Sequence, residues 1–172
     1  MSEMHDFLRE LANPAYKHLL INHVPIIGLG VGAIALFVAL FIRGAGARVP
    51  ALILIFLTAA SAYPVVLTGE AAYKPVRHIA DDAGADWLDE HMDRADTGAP
   101  AFYVLAGLAL VALVVPVKWP RAGVPLAVLT LLGAIACVGV GGWISQAGGP
   151  IMHTELRPPP APGDSAALPD AP

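Results

Sequence analysis

Four runs of this chain, at about 19–42, 50–68, 99–117 and 122–147, contain no Lys, Arg, Asp or Glu. A bilayer's hydrocarbon core of ~30 Å takes about 20 helical residues to cross, with a range of roughly 17–25. All four runs have that length. A spanning barrel strand would alternate in polarity and need only ~9–11 residues. The pattern therefore restricts the chain to an all-α fold, a polytopic membrane protein built as an up-down four-helix transmembrane bundle. Charged residues make up 14% of the 172, against about 25% in a soluble domain.

Four crossings put both termini and the 69–98 loop at one end of the bundle. The other end has two short loops carrying Arg43, Arg48, Lys118 and Arg121 with no acid. The end with the termini holds the other six basic residues and all fourteen acids. Basic residues in short loops beside spans mark the cytoplasm. The expected location is a bacterial inner (plasma) membrane with both termini outside, in the periplasm. The region before Leu19 carries Glu3, Asp6 and Glu10, and the first apolar run exceeds a signal-peptide core, so no cleavable leader is expected. No basic patch suits nucleic acid. The single cysteine, Cys137, excludes an internal disulfide and a Cys-x-x-Cys-His haem attachment.

Residues 1–13 read as a short interfacial helix capped by Ser2, with Met4, Phe7, Leu8 and Leu11 on one face. Residues 14–156 form the transmembrane domain, and 157–172 a disordered Pro/Ala-rich tail. Asn13-Pro14 has the form of a helix cap and first turn. Pro25 cannot donate to the Ile21 carbonyl, which predicts a kink at 21–25. Gly28 and Gly32 form a GxxxG pair where another helix can approach closely, within the bundle or in an oligomer through small-residue faces. Pro75 is expected to end the second long helix. Asp86 is expected to cap the helix before span 3, bent or broken at Gly98-Ala99-Pro100. Asp81, Asp82, Asp89, Asp93 and Asp96 read as a solvated face, with metal chelation as the lesser alternative. Pro25, Pro64, Pro100 and Pro150 all fall near the outer ends of their spans, which suggests a cup opening outward.

An up-down bundle gathers the starts of spans 1 and 3 beside the ends of spans 2 and 4. The candidate metal ligands there are His18, His23, Glu70, His91, His153 and Glu155. Facing helices build metal and cofactor sites in this way. Imidazole and carboxylate suit a transition metal ion such as Cu, Fe or Zn. A non-covalent haem b needs two histidines, expected to be His23 with His91 or His153. His18 lies five residues before His23, ~140° around a straight helix, so its part depends on the kink at Pro25. His5 and His78 read as surface residues.

Four segments resemble a bacterial four-span integral membrane family of unknown function. His18-x-x-x-x-His23-Val24-Pro25 is similar to its HxxxxH[FV]P signature, and Leu67-Thr68-Gly69-Glu70-Ala71-Ala72 to its LTGExA segment. Glu90-His91 followed by Ala95 resembles its acid-flanked histidine before span 3. Gly148-Gly149-Pro150-Ile151-Met152-His153-Thr154-Glu155 resembles its GGxIxHxE ending, with Met152 where that family usually has arginine. The resemblance covers about residues 16–157. It implies the fold and the residue set, and it lends no reaction.

Two functions follow as expectations. One is a redox or metal-handling membrane protein with its centre near the periplasmic face and a membrane or periplasmic redox partner. The other is a non-catalytic subunit or assembly factor of a respiratory or transport complex. Transport is disfavoured, because no span carries a charged residue at mid-membrane. Hydrolysis is disfavoured too, since neither Ser61 nor Ser145 has a nucleophile elbow.

Overall fold

The computed structural model describes residues 2–42, 44 and 46–159. Arg43 and the tail from 160 onward lie outside these, as do the side chains of Ser2, Met4 and Leu8. Every regular element among the described residues is helical. The elements are α1 (Ser2–Ala12), α2 (Pro14–Ile21), α3 (His23–Phe41), α4 (Arg48–Ala60), α5 (Ala62–Ile79), α6 (Asp82–Lys118) and α7 (Gly123–Gly148), with 3-10 turns at Pro120–Ala122, Gly149–Ile151 and Thr154–Leu156. They form four helices long and apolar enough to cross a membrane: Pro14–Phe41, Arg48–Ile79, Asp82–Lys118 and Pro120–Ile151. Only about a third of each apolar stretch is buried inside the protein. Ile27, Ile34, Phe41, Leu132 and Ile135 face outward, as a hydrocarbon environment allows.

At 1.5 Å per residue these helices run on the order of 40–55 Å, well beyond ~30 Å of hydrocarbon. The excess lies mostly at the end where spans 1 and 3 begin and spans 2 and 4 finish, called the upper end below. Span 1 packs on spans 2 and 4, and span 3 packs on the same two. Spans 1 and 3 therefore sit on one diagonal of a four-cornered bundle.

Leu29, Leu36, Ile55, Phe102, Leu105, Ala109, Ala127 and Ala134 form the core. Alanine at so many contact positions lets the backbones approach closely. Gly28 and Gly32 do the same where α3 meets α4: a Cβ on Gly32 would lie 2.8 Å from Ile55 Cγ1, and one on Gly28 would strike the Thr58 methyl. The GxxxG face is thus occupied within the bundle. Thr58 and Thr130, the buried polar side chains, donate to the Leu54 and Leu126 carbonyls of their own helices, each at 2.8 Å.

Proline shapes the upper end unevenly. Span 1 is interrupted at Asn22 and span 2 at Ser61, each three residues before a proline. In both, the carbonyl four residues before the proline has lost its donor. The interruption at Asn22 falls where the kink at 21–25 is expected. Other expectations need correction. Pro75 does not end α5, which continues to Ile79; both Pro75 and Ala71, whose carbonyl it frees, are exposed. The cap of α6 is Asp81 rather than Asp86, and its carboxylate accepts the Gly84 N–H at 2.8 Å. α6 also runs unbroken through Pro100, where Asp96, the residue that loses its partner, is exposed.

Three arginines staple the upper rim. Arg77 and the Tyr73 hydroxyl both donate to Asp89 at 2.6 Å, joining α5 to α6. Arg94 donates to Glu90 at 2.7 Å, to the Trp143 carbonyl at 2.8 Å and to Gln146 at 2.7 Å, joining α6 to α7. Arg157 holds Asp81 through two bonds of 2.7 Å and donates to the Pro150 carbonyl at 2.9 Å. Asp81 and Asp89 thus stay partly solvent-exposed while each pairs with an arginine.

Candidate functional site

At the upper end the four helices line a half-open cavity of about 600 Å³. Space on this scale suits a small organic ligand or cofactor, and it would hold on the order of twenty waters. Its wall is mostly apolar and carries four imidazoles, those of His18, His23, His91 and His153.

Two of these histidines come together across the diagonal. The rings of His18 and His91 have centres 6.3 Å apart and planes inclined at 83°. Each is fixed from behind by a neighbouring helix. His18 Nδ1 lies 3.1 Å from the Val65 carbonyl oxygen, and His91 Nδ1 lies 3.0 Å from that of Ile144. A carbonyl only accepts, so each Nδ1 carries the proton. In the neutral ring the lone pair then resides on Nε2. This is how proteins prepare a metal-binding imidazole: an outer hydrogen bond fixes tautomer and orientation and raises basicity.

Glycine makes room for both rings. A Cβ on Gly69 would lie 3.0 Å from His18 Cε1, and one on Gly148 would lie 3.3 Å from His91 Cε1 and Nδ1. Gly69 is four residues beyond Val65, and Gly148 four beyond Ile144. Each histidine therefore rests on the same small device, a carbonyl and a glycine one turn apart on the following span.

The likeness extends around the cavity. Raising a span 1 number by 73 takes Ala15, His18, Asn22 and Ile26 to Leu88, His91, Ala95 and Ala99. Raising a span 2 number by 79 takes Ala62, Val65, Gly69 and Ala72 to Gly141, Ile144, Gly148 and Ile151. All sixteen line the cavity. The two helical hairpins are thus paired position by position about the bundle axis, and the His18–His91 pair straddles that axis. The match is in shape more than in chemistry. His23 answers to Asp96, Tyr73 to Met152 and Asn22 to Ala95. Asn22 also has a buried side-chain oxygen with no hydrogen-bond partner, on the wall one turn from His18.

The remaining sequence candidates are placed as follows. His23 is exposed and borders the cavity; among the described residues no ring pair involves it. His153 lies at the cavity mouth with its Nδ1 3.0 Å from Glu155 Oε1, both side chains being about two-thirds exposed. Backbone N–H and then His153 hold the Glu155 carboxyl below the usual range. Glu70 is exposed and, with Glu155, is not among the lining residues. Among the described residues no three His, Cys, Asp or Glu side chains converge into an ion-holding group. The pairing that forms is His18 with His91, whereas the sequence favours His23. His18 sits in α2, before the break at Asn22, and its ring meets the Val65 carbonyl of span 2. The carbonyl-and-glycine supports on spans 2 and 4 escape a motif reading, because half of each is backbone.

No family model, curated protein or solved structure matches the chain.

Proposed function

We propose that this is a membrane protein of redox or metal-handling function that holds a transition metal, as an ion or in a non-covalent haem b, between His18 and His91. One observation carries the reading: two imidazoles from diagonal spans come together with ring centres 6.3 Å apart, each with Nδ1 committed to a carbonyl. The donor set fits. A metal bound by Nε2 at ~2.0–2.1 Å, with roughly 1 Å more to each ring centre, separates two such rings by roughly 6 Å. The metal would supply Lewis acidity or electron transfer. The chain's residues would bind it, set its ligand field and keep lipid from it.

The charge asymmetry of the loops supports an orientation with this cavity on the periplasmic side of a bacterial inner membrane. All four segments of the family resemblance also bear on the cavity. They supply His18, Gly69, His91 and Gly148.

The test is metal analysis with an optical spectrum on protein extracted from membranes in mild detergent. The expected result is one iron, copper or zinc per chain, lost when His18 and His91 are both replaced by alanine. Metal-free protein that takes up none of these ions and no haem on reconstitution would overturn the reading.

A further inference from the structure

The His18–His91 pair permits either a bare ion or a haem, and the cavity around it distinguishes them. Resting on the reading above, we infer that the occupant is a haem b with His18 and His91 as its two axial ligands.

Three observations point this way. First, the ligand set is two imidazoles and nothing more: among the described residues no third His, Cys, Asp or Glu joins them. Structural zinc takes four ligands and catalytic zinc at least three from the protein. A haem iron takes four nitrogens from the macrocycle and asks the protein only for axial ligands. Second, an ion between two imidazoles needs almost no space beyond the ligands, yet the cavity spans about 600 Å³ and is lined mainly by apolar groups. A macrocycle is flat, wide and apolar. Third, the walls that a macrocycle would meet are mainly apolar. With axial ligands from the diagonal spans 1 and 3, the ring would spread toward spans 2 and 4, which line the cavity with Ala62, Val65, Val66 and Ala72, and with Ile144 and Ser145. The space at Gly69 and Gly148 is taken by the imidazoles, and that at Gly141 by Ile26. The position-by-position pairing of the two hairpins suits a macrocycle too, since it offers equivalent ligands to the two faces of one planar group.

The inclination of the rings adds a signature. At 83° the axial imidazole planes are close to perpendicular. Perpendicular axial imidazoles leave a ferric iron low-spin with a highly anisotropic electron paramagnetic resonance signal, distinct from that of parallel rings.

The experiment is titration of detergent-purified, metal-free protein with hemin, followed by optical and electron paramagnetic resonance spectra. Uptake of one hemin per chain is expected, with a six-coordinate low-spin spectrum, the anisotropic signal, and no carbon monoxide adduct on reduction. In His91→Ala the iron should accept carbon monoxide, and added imidazole should restore the low-spin spectrum, which a merely structural role for His91 would not produce. Stoichiometric binding of copper, iron or zinc ions with no low-spin haem would overturn this inference and leave the metal reading standing. Uptake of neither hemin nor ions would overturn both. If His91→Ala does not fold, the wild-type titration alone decides, because hemin dissolved in micelles gives no bis-imidazole spectrum.

Discussion

Around Leu36 and Ile55 the four helices close on one another, and both side chains are fully buried among alanines. Around His18 and His91 the same helices stand apart, their tops held by arginine clamps. Composition alone does not separate the two ends, since small residues are plentiful at both. The difference is what faces them. Gly32 at the lower end is filled by the Ile55 side chain of the next helix, and Gly28 by Thr58. Gly69 and Gly148 at the upper end face imidazole rings. A small residue closes a bundle when an aliphatic side chain fills the gap, and seats a polar ring on a cavity wall when an imidazole is set there instead. One end is therefore read as the support of the fold and the other as its function.

Substitutions on each side of that divide should behave differently, and the largest effect belongs to the packed end. Leu36, fully buried, when replaced by alanine should cost about 2–5 kcal/mol through the cavity left behind. Thermal unfolding in detergent checks this, with cofactor stoichiometry in the folded fraction unchanged. A loss of stoichiometry would show that the two ends are not separable. Arg94→Ala removes a largely buried clamp between α6 and α7. A cost of about 1–3 kcal/mol follows from lost charge-assisted bonds, together with faster cofactor release, since the Trp143 carbonyl that Arg94 holds is one residue from Ile144. Dissociation kinetics would show it.

Gly69→Ala should sharpen the contrast within the site. Its added methyl meets His18 more closely than the methyl of Gly148→Ala meets His91. Cofactor affinity should fall by roughly tenfold, equal to about 1.4 kcal/mol, and by less for Gly148→Ala; the reverse order in a binding titration would break the assignment.

The smallest effect concerns pH. The Arg157 guanidinium, and then the Gly84 N–H, hold the Asp81 carboxyl down at about 2 from 3.8. A carboxyl lowered in the folded state stabilises fully above its unfolded pKa and loses that contribution as pH falls through the folded value. Melting temperatures should therefore lack an Asp81 contribution to their pH dependence above about pH 4 and acquire one between about 4 and 2. Comparison with Asp81→Asn isolates it.

Much of the fold was legible because lipid imposes a one-dimensional rule: four uncharged runs of helical length leave little choice. The break before Pro25 was legible too, since the missing donor is a local property. What escaped was set by three-dimensional context. Pro75 and Pro100 lie in helices that continue because their freed carbonyls belong to exposed residues. Asp81 caps α6 rather than Asp86, with Arg157, 76 residues away, holding its carboxylate. The site was half legible. The histidines announced themselves, but the choice of His18 over His23 depended on where the Val65 and Ile144 carbonyls lie, and no side-chain motif records a carbonyl.

The most direct test of the central claim is a side-by-side measurement of bound metal per folded chain in the His18→Ala/His91→Ala double variant and in His23→Ala. Loss is predicted in the double variant and retention in His23→Ala. Loss in His23→Ala with retention in the double variant would contradict the claim.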